Sequence, residues 1–359
     1  MSKYWSDVVK KIQPYVPGEQ PKDQKYIKLN TNENPYPPSP LVIEAIKKAA
    51  DEALRLYPDP LCTSLVSSIA DYYHVSKKQV FVGNGSDEVL AFGFLAYYNQ
   101  GDRILYPDIT YSFYPVYSNM FQVDYDLVAL GSGFELGVED YLKKNDGIII
   151  ANPNAPTGKL LSLEGIKTIL EANMDQVVII DEAYIDFGGE SAVGLVNSYS
   201  NLLVVQTMSK SRSLAGMRIG FAIGHEDLID GLNRVKNSIN SYTLDRLALV
   251  AGAAAMKDQD YFQETCSKVI ETREWVSKRL EGLGFEVPRS SANFIFAAPS
   301  RIDAEELFIK LKEQGILVRY FNQPKISGYL RISIGTDQEM TALCEAVAGI
   351  QESVVTGGQ

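Results

Sequence analysis

The chain has 359 residues, enough for two domains around a substantial core. With 45 acidic against 34 basic residues, its formal net charge of -11 argues against non-specific nucleic-acid binding, which needs cationic surface, yet leaves room for a locally basic pocket. No apolar run approaches membrane-spanning length and the start lacks the apolar core of a signal peptide. Cys62, Cys266 and Cys344 are too scattered for a metal-type pair, so a soluble cytoplasmic protein without a metal site is expected.

Residues 1–40 read as an arm. A short amphipathic stretch at 6–12 is followed by Pro14, Pro17 and Pro21, then by Leu29-Asn30-Thr31-Asn32-Glu33-Asn34-Pro35. Such a segment favours extended and turn conformations. Ser39 as N-cap and Pro40 at the first helical position start a helix over 41–53, which Leu56-Tyr57-Pro58-Asp59-Pro60 ends. A strand at 80–82 leads through Gly83-Asn84-Gly85-Ser86-Asp87-Glu88 into an apolar helix to about Tyr98. This turn could present free N–H groups to an anion, but its spacing is neither GxGxxG nor a P-loop, so it is not read as a nucleotide site.

Strands are expected at 103–105 and 147–151, a helix from Tyr111, and a tight loop with a cis X-Pro bond at 152–158. A helix at 162–173 and strands at 176–180, 202–205 and 219–224 complete an alternation that predicts a mostly parallel sheet between helices. Helices follow at 226–238, 245–256 and 260–283, the last long enough to bridge two domains. Strands at 293–297, 316–319 and 329–334, with helices at 304–314 and 337–352, predict a smaller α+β unit, and 356–359 a disordered tail. The expected division is an arm, 1–40, a large domain, 41–260, a bridging helix, 261–283, and a small domain, 284–359.

The chemistry concentrates between Asp181 and Arg218. An acid ends one apolar strand, Lys210 follows the next in Thr207-Met208-Ser209-Lys210, and Arg218 comes shortly after. In an open α/β sheet such groups face one cleft at the strand carboxyl ends. Singly, the Asp reads as a turn or cap residue and Ser-Lys as solvated surface. Together they supply what pyridoxal 5'-phosphate (PLP) needs: an amine, an acid for the ring nitrogen and donors for the phosphate.

With the Asn30–Pro35 segment, Tyr57-Pro58-Asp59, Gly83–Glu88, Asp181-Glu182-Ala183-Tyr184, Thr207–Arg218 and Leu330-Arg331-Ile332-Ser333-Ile334-Gly335-Thr336 in one chain, the sequence resembles the fold-type I PLP-dependent aminotransferases over nearly its whole length. Within them it is most similar to the branch that acts on L-histidinol phosphate and 2-oxoglutarate. The resemblance implies an α/β large domain and a smaller α+β domain, with Lys210 holding PLP and shuttling the proton, Asp181 on the pyridine nitrogen and Tyr184 on the phenolate oxygen. It implies Tyr111 stacked on the ring, and Ser86, Asp87, Thr207, Ser209 and Arg218 around the phosphate. Tyr57 would reach a partner subunit's cofactor, which implies a homodimer with shared active sites. Asn154 would serve the phenolate oxygen, although relatives carry Asn where this chain has Ala155 before Pro156. Arg319 and Arg331 would grip the substrate's acidic group, with Tyr15, Asn32 and Asn34 closing over it. Three other readings remain open: an aromatic-amino-acid aminotransferase, a threonine-phosphate decarboxylase, and a non-catalytic PLP-binding regulator, against which the acidic balance and the lack of an added nucleic-acid-binding module count.

Overall fold

The computed structural model describes residues 2–357. In chain order the elements are α1 (Asp7–Lys11), β1 (Ile27–Lys28), α2 (Pro40–Ala49), α3 (Thr63–Tyr73), β2 (Val80–Asn84), α4 (Gly85–Tyr97), β3 (Arg103–Pro107), α5 (Tyr114–Phe121), β4 (Asp124–Val128), β5 (Gly147–Ala151), α6 (Leu163–Ala172), β6 (Val178–Asp181), β7 (Leu202–Thr207) and β8 (Ile219–Gly224). There follow α7 (Glu226–Ile239), α8 (Arg246–Lys257), α9 (Gln259–Gly282), β9 (Phe285–Glu286), β10 (Phe294–Pro299), α10 (Ala304–Glu313), β11 (Ile316–Leu317), β12 (Arg319–Tyr320), β13 (Leu330–Ser333) and α11 (Asp337–Gly357).

Seven strands form one sheet in the order β2-β8-β7-β6-β5-β3-β4. All neighbouring pairs from β7 to β4 are parallel, and β8 runs antiparallel to both β7 and β2. Strands β5, β6 and β7 are buried at every position, as central parallel strands covered on both faces must be. One face packs under Val42, Leu65, Ile169 and Ala248 from α2, α3, α6 and α8. The other packs under Leu90, Tyr114 and Leu232 from α4, α5 and α7.

A second sheet, β12-β13-β10-β9, is antiparallel and shares a core with α9, α10 and α11. The arm is stitched to this unit rather than free. β1 pairs with β11 in parallel, Leu29 N–H donates to the Leu317 carbonyl at 2.8 Å, and the Leu29 carbonyl accepts from Ser333 N–H at 2.9 Å. That stitching suspends Asn30–Asn34 between the two sheets.

Several local expectations change. The helix after Ser39 is capped as expected, with Val42 N–H donating to the Ser39 hydroxyl, but stops at Ala49 because Asp51 caps a separate 3-10 turn over Glu52–Arg55. Residues 111–113 stay outside the helix, which begins at Tyr114 with Pro115 in its first turn. The stretch at 316–319 divides into β11 and β12 because its halves pair with different partners, β1 and β13. The expected tail is helical through Gly357, and its last two residues lie outside the described ones.

Candidate active site

A cavity of about 330 Å³ opens at the carboxyl ends of β5, β6 and β7, between the large sheet and β12–β13. This is a size and place where α/β proteins bind small ligands. Its walls bring together Tyr15, Asn32, Ser86, Asp87, Tyr111, Asp181, Tyr184, Thr207, Ser209, Lys210, Arg218, Arg319 and Arg331.

Asp181 ends β6 at the base and is 4% exposed. Its Oδ2 accepts from the Tyr114 hydroxyl at 2.9 Å and its Oδ1 from Ala183 N–H at 3.2 Å. Burial pushes its pKa up to about 6 against the lowering effect of those two bonds and the Lys210 charge. Lys210 sits in the turn after β7. Its Nζ donates to the Thr31 carbonyl at 3.3 Å and lies 5.6 Å from the centre of the Tyr184 ring. The Tyr184 hydroxyl accepts from Asn32 Nδ2 at 3.0 Å.

At the other end, α4 begins directly on β2, and no side chain caps its first turn. The opening N–H groups of a helix lack intrahelical acceptors and favour an anion. Gly85 has φ +81° and lies so near Arg218 that a Cβ there would stand 2.5 Å from Nη2. Gly220, on β8, backs the same turn: a Cβ would meet the Gly85 carbonyl carbon and Ser86 nitrogen at 2.3 Å. Both positions therefore exclude side chains. Arg218 pairs with Asp87 at 3.2 Å, and Asp87 also accepts from the Tyr111 hydroxyl at 2.8 Å. The Thr207 and Ser209 hydroxyls are hydrogen-bonded to one another at 2.9 Å.

On the small-sheet side, Arg331 Nη2 donates to the Asn30 carbonyl at 2.9 Å, whereas its buried Nε has no partner. The Phe294 and Phe321 rings flank the guanidinium at 5.5 and 5.6 Å. Burial lowers its pKa, and among the described residues it forms no ion pair. A desolvated guanidinium with an unused N–H suits an anion. Arg319 lies across the same opening and leans on the Val16 and Pro17 carbonyls at 3.4 and 3.5 Å. Tyr15, from the arm, stacks on Phe113 at 4.4 Å over the mouth.

Three of the expected site residues do not line the cavity. Asn34 Nδ2 instead donates to the Lys210 and Ser211 carbonyls at 3.0 and 3.2 Å, bracing the lysine's backbone. Asn154 spends its amide on the Thr110 hydroxyl, the Ile109 carbonyl and the Thr157 hydroxyl, and Ala155 takes the wall position. Both X-Pro bonds of that loop, Asn152-Pro153 and Ala155-Pro156, are cis. Tyr57 is 78% exposed and stacks on Tyr242 at 4.6 Å, away from the cavity. Conversely, Thr31 and Glu33 line it without having been singled out, although both stand in the Asn30–Pro35 segment that drew attention. Tyr114, inside a run of aromatics that reads as core, gave no signal.

The sequence profile described as aminotransferase class I and II matches residues 24–347. The chain belongs to the class I and II aminotransferases. Curated relatives include the histidinol-phosphate aminotransferase of Clostridium acetobutylicum, 60% identical over 97% of this chain and 99% of that one. The enzyme of the same name from Clostridium beijerinckii is 56% identical over 96% of each chain. Among solved structures, the histidinol-phosphate aminotransferase of Sinorhizobium meliloti in complex with pyridoxal-5'-phosphate has a TM-score of 0.89 at 22% identity, covering 99% of both chains, and shares the fold. A histidinol-phosphate aminotransferase from Clostridium acetobutylicum has a TM-score of 0.84 at 25% identity over 91% of this chain and 99% of that one.

Aminotransferases of this class are PLP-dependent, and the cavity fits that cofactor. A turn with glycines at 85 and 220, an uncapped helix start and an arginine suits the phosphate. A buried carboxylate with spare lone pairs suits the ring nitrogen, and a lysine amine lies in the same cavity.

Proposed function

We propose that the chain transfers the amino group of L-histidinol phosphate to 2-oxoglutarate, giving imidazole-acetol phosphate and L-glutamate in histidine biosynthesis. The observation that carries this reading is Arg331, whose desolvated guanidinium keeps an unpaired Nε in the same cavity as Lys210 and Asp181. Histidinol phosphate has no carboxylate, so its phosphate is its one strong anionic handle. 2-Oxoglutarate offers a carboxylate to the same fork, and a guanidinium binds either ion in bidentate fashion. One receptor thus serves both halves of the reaction. The names of the full-length relatives point to the same donor.

Bound PLP supplies an electron sink for the bond breaking at the substrate α-carbon. The chain's own residues then have separable tasks in this reading. The α4 N–H groups of Ser86 and Asp87, with Thr207, Ser209 and Arg218, would hold the phosphate of PLP. Asp181 would accept a hydrogen bond from the ring nitrogen and favour its protonated form. Tyr184, itself held by Asn32, would donate to the phenolate oxygen, and Tyr111 would pack against the ring. Lys210 Nζ takes the proton that leaves the substrate α-carbon, with Thr31 and Asn34 fixing the amine and the backbone beneath it. Arg331 and Arg319 bind the anion of each substrate, and Tyr15 excludes water from above.

We assign the seven-stranded sheet with its helices to a large domain of 41–260, the antiparallel sheet to a small domain of 284–359, and residues 261–283, which hold most of α9, to the link between them. The protein acts as a homodimer in which Tyr57 completes the partner's site. Leu54, Leu56, Tyr57 and Leu61 are each exposed, and Tyr57 meets Tyr242 and Arg246 at the α7–α8 turn; exposed apolar side chains of this kind suit burial by a second copy. Its three cysteines are buried and free, in keeping with a cytoplasmic protein. Purified protein supplied with PLP, 2-oxoglutarate and L-histidinol phosphate tests the reading: it should produce glutamate at a rate that scales with enzyme, and absence of glutamate would refute it.

A further inference from the structure

The geometry points to Tyr114 as a positioning residue for the reaction, one that keeps the Asp181 carboxylate ionised and aimed while fixing the tilt of the Tyr111 ring. Tyr114 opens α5 and is fully buried, on the face of the large sheet that carries α4. Its hydroxyl donates to Asp181 Oδ2 at 2.9 Å and is the carboxylate's only side-chain donor among the described residues. Its ring stands edge-on to Tyr111, with centroids 5.7 Å apart and planes at 87°. One side chain therefore touches both groups assigned to the two aspects of the cofactor ring, its nitrogen and its face. The inference rests on the assignment of Asp181 in the proposed function.

The direction of the hydrogen bond is fixed by chemistry. Burial first, then the Asp181 charge, hold the Tyr114 phenol well above its ordinary pKa, so it remains a donor. A donated hydrogen bond stabilises the ionised carboxylate and does nothing comparable for the acid. Without it, burial would dominate Asp181. The charged and titratable groups around this pair are Asp87 from α4, Tyr117 from α5, Tyr184 beyond β6 and Lys210 beyond β7, with Arg218, next to β8, acting on Tyr117. Asp87 favours the neutral carboxyl and Lys210 the ionised one. None of these five hydrogen-bonds to Asp181. Removing the Tyr114 hydroxyl while keeping its ring takes a donor from Asp181 without removing a formal charge from the cavity.

The test is Tyr114→Phe, which deletes one hydroxyl and keeps the ring. In the PLP-free protein, the protonated Asp181 carboxyl is followed by infrared difference spectroscopy and assigned with Asp181→Asn. Its midpoint should rise in Tyr114→Phe by on the order of one to two pH units. In the holoenzyme, the acid limb of the kcat profile should move to higher pH in the same direction, with KM for the amino donor little changed. Tyr141→Phe is the control: Tyr141 is also fully buried, but its hydroxyl has no partner and it lies in the core on the opposite face. Tyr141→Phe should leave both curves where they are. An unchanged Asp181 midpoint in Tyr114→Phe, or an activity loss equal at every pH, would overturn the inference while leaving the transamination reading intact. If Tyr114→Phe folds poorly, Tyr114→Met, which carries no N–H or O–H donor, must give the same upward midpoint; an unchanged or lower one overturns the inference.

Discussion

Replacing Arg331 by Ala separates anion binding from everything else in the cavity. In the ligand-free chain the guanidinium makes one hydrogen bond, from Nη2 to the Asn30 carbonyl, and its Nε is unpaired between two phenylalanine rings. A substrate anion would therefore take the remaining N–H groups in a desolvated setting. Removing such a charged contact costs about 2–5 kcal/mol, or roughly 30-fold to several-thousand-fold in apparent affinity. The loss should fall on both half-reactions, because one fork serves phosphate and carboxylate. Stopped-flow measurement of each half-reaction reads this directly, with visible absorbance reporting retained PLP. Arg331→Lys should recover only part of the affinity, since an ammonium cannot reproduce the fork. Thermal stability without substrate should not fall, because the deleted charge is one that burial already disfavours. If Arg331→Ala leaves both half-reactions unchanged, the anion-receptor argument is wrong.

Other outcomes follow from the same geometry. Lys210→Ala should bind PLP yet lose transamination, and borohydride reduction of the unaltered holoenzyme should label Lys210; a label on another lysine, seen by peptide mass spectrometry, rejects the assignment. Mixed dimers of inactive Lys210→Ala chains with inactive Tyr57→Ala chains should regain one intact site, and mixtures that stay dead would remove Tyr57 from the site. Glu182, buried beside Gln206, Ser191 and the Ala192 N–H, has its pKa pushed up from 4.5 to about 7 by burial. Because the folded chain holds this proton more tightly than the unfolded one, its contribution is fully present below pH 4.5 and is lost as pH rises through about 7. Calorimetric stability of Glu182→Gln should vary less over that window, by at most about 3 kcal/mol; an unaltered pH dependence would show that Glu182 does not titrate there.

The parts legible in the sequence are those whose chemistry is local. Asp181 at a strand end, Lys210 in a strand-end turn and the Gly83–Glu88 turn were visible because strand period, turn glycines and helix starts are written in adjacent residues. The structure brings all three to one cavity. What escaped depends on contacts distant in sequence or on weak local signals. Helix α3 follows Cys62, which makes no capping bond and adopts a left-handed conformation; its first N–H, of Thr63, donates instead to Asp59 four residues earlier, a spacing that the usual N-cap pattern does not reveal. Strand β4, Asp124–Val128, carries two aspartates because it is an edge strand with its outer face in water. Asn34 and Asn154 look alike in sequence, as polar loop residues, yet both turn to backbone or loop partners rather than to the cavity. The Tyr114–Asp181 bond spans 67 residues and has no local pattern.

The claim that a phosphomonoester is the natural handle is tested most directly by one comparison: kcat/KM for L-histidinol phosphate against L-histidinol, with 2-oxoglutarate as acceptor and L-phenylalanine as a third donor. The account predicts that removing the phosphate lowers kcat/KM by roughly the same 30-fold or more as Arg331→Ala, and that histidinol phosphate outpaces phenylalanine. Equal rates for histidinol and histidinol phosphate would contradict it, and a reaction with phenylalanine at least as fast as that with histidinol phosphate would make the protein an aromatic aminotransferase on the same fold.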